Sequence, residues 1–188
     1  AVLYTEKEIK TLFPKGYAYL KENETALRER ENGRLLNDEY WFRYIYPKNL
    51  TLFDKPKLIC PDICLGGNYA FDVNGEFYDT TTLYGYIKSD KVDLQYEYLL
   101  AILNSNLVWF FLKNTGTVLA NGYFRFMPRY VNEVPIAQPD SKQTESRIVG
   151  LVKEIIEKKA SGEDTAALER EIDELVYRLY GLTAEEIA

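Results

Sequence analysis

The sequence predicts an α+β protein, with a mixed or antiparallel β core, flanking helices and a helical hairpin at the C-terminus. Three observations carry that expectation. Apolar residues recur at helical spacing near both ends of the chain, short aromatic and β-branched runs fill the middle, and turn residues separate the two kinds of segment. With 188 residues, 46% of them apolar, the chain is long enough to bury a core.

The first forty residues lean helical. Tyr17, Leu20 and Leu27 follow Pro14 at helical spacing, and Asn32-Gly33 marks the exit. Lys57-Leu58-Ile59-Cys60-Pro61 has the apolar density of a buried strand. Asn74-Gly75, between Ala70-Phe71-Asp72-Val73 and Glu76-Phe77-Tyr78-Asp79, predicts a β-hairpin, because a tight turn needs residues that tolerate positive φ. Residues 83–88 form a further aromatic strand. Residues 98–104 form an apolar helical run, which resumes over 108–112 after the break at Asn104-Ser105-Asn106. Residues 125–136, punctuated by Pro128 and Pro135, are expected to be extended.

Two helices close the chain. Ile148, Val152 and Ile155 form one apolar stripe with Val149 and Ile156, and Leu168, Ile172, Leu175, Val176 and Leu179 form another. Ser161-Gly162 separates them, Asp164 is the expected N-cap of the second, and Gly181 ends it. Thr183 to Glu186 has a capping-box pattern. The expected division is an α+β domain over 1–140 and a helical hairpin over 141–188 packed on it, joined at Gln138-Pro139-Asp140-Ser141.

Composition removes whole classes of chemistry. The chain has no histidine, so Ser-His-Asp or Cys-His nucleophile activation, HExxH zinc sites and an imidazole general base are all excluded. Two cysteines are too few for a disulfide scaffold and fit a reducing cytoplasm. No segment approaches the roughly 18 consecutive apolar residues of a membrane span, so a soluble protein with no membrane partner is expected. Ala1 to Lys10 lacks the apolar stretch of a secretory signal and begins without Met, as expected of a piece of a longer chain.

A formal net charge of −6 argues against a nucleic-acid binder, but the charge is unevenly distributed. Residues 141–188 hold seven Lys and Arg against eleven Asp and Glu. By contrast, residues 113–130 carry only Lys113, Arg125 and Arg129, and residues 43–57 carry Arg43, Lys48, Lys55 and Lys57 against the single Asp54. The 113–130 stretch combines glycines, neutral hydrogen-bonding side chains and two arginines with no acid. That mixture suits close approach to phosphates and the offer of Arg or Asn to base edges.

Other candidate chemistries are weaker. Pro139-Asp140 with Glu157-Lys158-Lys159 matches a metal-dependent nuclease pattern, yet two positions apart on a helix turn Glu157 and Lys159 about 200° away from each other. Cys60, Asp62 and Cys64 lack the further donors a zinc site needs, and in an extended segment the two cysteine Cα atoms stand about 13 Å apart. Gly66-Gly67 and Gly116 lack phosphate-loop spacing and fit turns. Asp72, Glu76 and Asp79 are carboxylates near a turn, with nothing to mark them as a catalytic pair.

The segment from Pro14 to Glu31, then Tyr40-Trp41, then Phe53-Asp54-Lys55-Pro56-Lys57-Leu58-Ile59-Cys60-Pro61-Asp62-Ile63 resembles the TaqI-like C-terminal specificity domain. Tyr69-Ala70-Phe71-Asp72, Leu99 to Ser105, the glycine-containing stretch to Arg125, Val134-Pro135-Ile136 and Ile172 to Thr183 continue the match in the family's order. The resemblance implies the target-recognition part of an adenine-N6 DNA methyltransferase or type IIG restriction-modification enzyme. Its partners would be double-stranded DNA and the methyltransferase domain of its own parent chain. That domain, with its Asn-Pro-Pro-Tyr motif, would bind S-adenosylmethionine and hold a flipped adenine. No Asn-Pro or Pro-Pro pair occurs here, so a non-catalytic module with no cofactor of its own is expected.

On that reading the DNA-binding residues are Lys55, Lys57, Thr115, Gly116, Thr117, Asn121, Tyr123, Arg125 and Arg129. The contrasting expectation is a helical protein-interaction module, or a weak homodimer through the Leu168 to Leu179 stripe, without direct DNA contact.

Overall fold

A computed structural model describes residues 3–46, 48–78 and 82–188. The chain divides into two compact units, Ala1–Leu52 and Phe53–Ala188. Among the described residues no helix is long and apolar enough to cross a membrane.

The first unit is helical. Helix α1 (Glu6–Leu12) opens with a capping box: the Thr5 hydroxyl accepts the Glu8 amide, and the Glu8 carboxylate accepts the Thr5 amide. Helix α2 (Pro14–Glu22) has its proline in the first turn, where no amide is needed, and α3 (Glu24–Gly33) follows. Glu31, Asn32 and Gly33 all take positive φ, which ends the helix at the predicted exit. The irregular chain beyond is held by arginines. Arg28 stacks 5.4 Å from the centre of the buried Trp41 ring and donates to the Leu36 and Asp38 carbonyls, while Arg30 donates to those of Trp41 and Arg43.

The second unit holds both sheets. Strand β1 (Lys57–Pro61) runs down the centre of a three-stranded antiparallel sheet. Asp62 alone separates it from β2 (Ile63–Cys64). Its neighbours are β3 (Ala70–Asp72), which places Phe71 opposite Leu58, and β4 (Leu83–Tyr86), which places Tyr86 opposite the same residue. Helices α4 (Tyr96–Asn104) and α5 (Asn106–Thr115) meet at Ser105, whose hydroxyl accepts the Val108 amide and so starts the second helix. Strand β5 (Phe124–Arg125) pairs with β2, and α6 (Pro128–Val131), α7 (Lys142–Ala160), α8 (Ala166–Leu179) and α9 (Ala184–Ile187) complete the unit. The α+β class is as predicted. The core joins Leu58, Tyr98, Ile102, Phe126, Ile148 and Val176, so the helical hairpin α7–α8 contributes to the same apolar cluster as the sheet.

Several local expectations are corrected. The Asn74-Gly75 hairpin does not form, since β3 pairs with β1 and residues 76–78 are not a strand. The Asp72 carboxylate accepts the Glu76 and Phe77 amides, taking the donors a hairpin ladder would use. A Cβ on Gly75 would lie 2.3 Å from the Asp54 carbonyl carbon, so this glycine is demanded by a crossing backbone as well as by its φ of +68°. Asp79 lies outside the described residues. The 125–136 segment is not wholly extended, because α6 forms once Pro128 presets its first turn. Thr165, not Asp164, is the N-cap of α8, although the Asp164 carboxylate does accept the Ala166 amide. The Cys60 and Cys64 thiols are buried and free, as expected, but both converge on the Pro61 carbonyl, which a straight extended run would not allow.

Tyrosine hydroxyls hold the stretch from Phe126 to Ala137. Tyr86 donates to the Phe126 carbonyl, Tyr180 to that of Pro135 and Tyr98 to that of Ala137. Burial pushes the Tyr98 hydroxyl up to about 12 and raises Tyr86 and Tyr180 as well, so these groups are neutral donors.

Candidate functional site

The chain leaves α5 through Gly116, whose amide donates to the Leu112 carbonyl at 2.8 Å. A Cβ there would stand 2.7 Å from that carbonyl oxygen, so only glycine permits the exit. Residues 117–119 then run antiparallel to 123–125: the Leu119 amide donates to the Tyr123 carbonyl, the Arg125 amide to that of Thr117, and Val118 bridges Phe124. Asn121 and Gly122 form the tip with φ of +61° and +76°. An Asn-Gly pair thus does make a hairpin turn in this chain, at Asn121-Gly122 rather than at Asn74-Gly75.

This hairpin carries four of the nine candidate residues, Thr115 and Gly116 lead into it, and Arg129 follows just beyond it. Thr115 ends α5 with its hydroxyl donating to the Phe111 carbonyl. The Thr117 hydroxyl makes a short hydrogen bond with the Tyr130 hydroxyl, which fastens the hairpin base to α6. Among the described residues, neither the exposed Asn121 amide nor the Tyr123 hydroxyl has a hydrogen-bond partner. Phe124 and Phe126 turn inward, meeting the Trp109 ring at 5.2 and 6.0 Å, while Arg125 between them turns outward as strand alternation requires. The Arg129 guanidinium lies 4.8 Å from the Tyr130 ring centre and meets no carboxylate among the described residues.

Arg125 does have a carboxylate. Its Nε donates to Asp62 Oδ1 at 3.3 Å and its Nη2 to Asp62 Oδ2. The Asp62 side chain is 8% exposed and the arginine side chain 38%. These hydrogen bonds raise the already high Arg125 pKa, so the guanidinium is charged at every pH the fold survives. In the sequence Asp62 stands as a weak metal-ligand candidate and within the family pattern, and neither marks it as a partner of Arg125. Its partner lies 63 residues away, and nothing local signals the pair. Tyr130 was likewise unmarked.

The two lysines stand at the other end of β1, about 16 Å away by strand rise. Lys55 is exposed in the turn before the strand. Lys57 is only 2% exposed, and its ammonium contacts Asp72 Oδ2 at 2.6 Å and the Phe53 carbonyl at 2.7 Å. Burial pushes the Asp72 carboxyl up, but hydrogen bonds from Lys57 and the Glu76 and Phe77 amides outweigh it and hold the group below its ordinary value. Among the described residues no group of three or more Cys, Asp or Glu is arranged to hold a metal ion. Glu157 and Lys159 lie on helix α7, and Lys159 pairs with Glu169.

The chain belongs to the TaqI-like C-terminal specificity domain family, whose pattern matches residues 6–136. It is similar to the type II methyltransferase M.BstVI of Geobacillus stearothermophilus, with 26% identity over 179 residues. That match covers 93% of this chain and 28% of the methyltransferase, so the chain spans under a third of the length of its relative.

Proposed function

We propose that this chain reads and positions duplex DNA for a methyltransferase domain elsewhere in its parent enzyme, and that it performs no chemistry itself. The observation that carries the reading is the 115–129 surface: Thr117, Asn121, Tyr123, Arg125 and Arg129 lie on one hairpin and its sequel, and no carboxylate occurs between residues 113 and 132. Free amide and hydroxyl groups at the tip suit base edges, and Arg129 suits a phosphate. Membership of a specificity-domain family and likeness to a type II methyltransferase support the same role. On this reading adenine N6 is the methylated atom, S-adenosylmethionine binds in the catalytic domain, and this chain fixes register and sequence choice. Lys57 has no part in the surface, because reaching a phosphate would strip a buried carboxylate of its partner. No observation favours the interaction-module reading, since Ile172 and Val176 of the α8 stripe are buried in the core of the same chain.

Because the net charge is −6, affinity of the single chain is expected to be low, and the test should use a dense array. The chain is immobilised on beads and short duplexes are retained across a salt series. Each phosphate contact gives a roughly threefold loss of affinity between about 50 and 200 mM salt. Arg129→Ala should lower the slope by about one charge across all sequences. Retention no better than on blank beads at low salt refutes the proposal.

A further inference from the structure

We infer that Asp62 and Arg125 form a guanine-reading pair, in which the carboxylate grips the side edge of the guanidinium and leaves its outer edge to donate to O6 and N7 of a guanine. The inference rests on the DNA-reading role proposed above and names what that role recognises.

A guanidinium carries five N–H donors in a rigid plane. Asp62 takes the Nε donor and one on Nη2. The two on Nη1 and the second on Nη2 meet nothing else among the described residues. Those remaining donors include the parallel pair that matches two acceptors on one guanine edge. An adenine presents an amino donor at the corresponding place and would oppose it.

The pair is mounted firmly. Asp62 stands between β1 and β2, where its amide donates to the Thr82 carbonyl at 2.9 Å and its carbonyl accepts the Phe126 amide at 2.7 Å. Arg125 is opposite Ile63 in the two-stranded ladder, so both ends of the ion pair are fixed by backbone pairing. The carboxylate sits behind and the guanidinium in front, as their 8% and 38% exposures show. A freely rotating arginine loses conformational entropy on binding, and this one has already lost it.

Charge separates a base contact from a phosphate contact. The Asp62–Arg125 pair is neutral as a unit, so it offers a phosphate little net attraction and sets a carboxylate behind the approach. A guanine edge is uncharged and needs only donors. Arg129, which has no acid beside it among the described residues, is the residue left for the backbone.

The test retains a duplex pool with randomised central positions on beads carrying the chain and sequences what stays bound. The unaltered chain should enrich guanine at a position that Arg125→Lys and Arg125→Ala both flatten, with preference elsewhere unchanged. Replacing that guanine with 7-deazaguanine removes the N7 acceptor, and should weaken binding about tenfold for the unaltered chain and not at all for Arg125→Ala. Asp62→Asn should relax the same position and steepen the salt slope, because the released arginine can now engage a phosphate. If a variant fails to fold, Arg125→Lys, which keeps a cation beside Asp62, and the modified base, which alters only the DNA, decide. Guanine preference that survives Arg125→Ala overturns the inference. So does a uniform loss over all sequences with a slope lowered by one charge, and both outcomes leave DNA reading intact. Retention of no duplex by the unaltered chain overturns the proposed function itself.

Discussion

Lys57 and Arg125 are both cationic residues in runs poor in acid, and the structure gives them opposite situations. The sequence around Lys57 announces a buried strand, but whether its ammonium stays in solvent depends on Asp72, which β3 brings alongside from fifteen positions away. Removing one partner of such a pair should cost about 3–5 kcal/mol, while Lys57→Met with Asp72→Leu should be close to neutral. Asp72 titrates below its ordinary 3.8, so its contribution to stability is complete above that value and is lost as the pH falls through the lower folded value. Urea unfolding at pH 7 and pH 3 should show the loss, and the double replacement should reduce it. Glycines show a similar dependence on surroundings. Gly75 and Gly122 share positive φ, but only Gly75 has a backbone within reach of a new Cβ. Gly122→Ala should cost about 1 kcal/mol of unfolding free energy and Gly75→Ala distinctly more. Retention of equal stability by both would contradict the crossing of residues 54 and 75.

At the level of elements, the longer helices and the strands β1, β3 and β4 were legible and the two shortest strands were not, for a reason of length. Helices α4, α5, α7 and α8 each run nine residues or more, enough for an apolar stripe to repeat. Strands β2 and β5 have two residues each, too few for any alternation to register. Hence the hairpin that carries the candidate surface was visible as composition, not as a strand pair. The Asn-Gly rule found the correct kind of turn and chose the wrong copy, because Asp72 takes the amides after Gly75 whereas the amides around Asn121 are free for a ladder. Helices also depend on partners outside themselves. The first turn of α5 is capped from α8, where Asp173 Oδ1 accepts the Asn106 amide at 2.8 Å and Oδ2 the Asn106 side chain at 2.6 Å. Burial pushes the Asp173 carboxyl up, and these bonds oppose it. Asp173→Ala should cost about 1 kcal/mol, read as a lower urea midpoint.

Across the whole molecule, sixteen tyrosines stand out in the composition, and several are structural fasteners. Tyr86, Tyr98 and Tyr180 bond carbonyls of a stretch that has little ladder of its own. Tyr98→Phe should cost about 1–2 kcal/mol by leaving the Ala137 carbonyl without a partner. These hydroxyls titrate above the ordinary value of 10.0, so their support is intact below pH 10 and fails as the pH rises toward about 12. Part of the phenolate absorbance should therefore rise together with loss of structure in that interval, over and above the signal of exposed tyrosines such as Tyr19 and Tyr44. The same grip has a consequence for descent with variation. The tyrosines hold backbone groups, three carbonyls and the Ala137 amide, so the clasp is largely indifferent to which side chains the clasped segment displays. If the chain reads DNA as proposed, residues such as Arg129 can be exchanged while the mounting stays in place, and a lineage can revise what it recognises without first relearning how to fold.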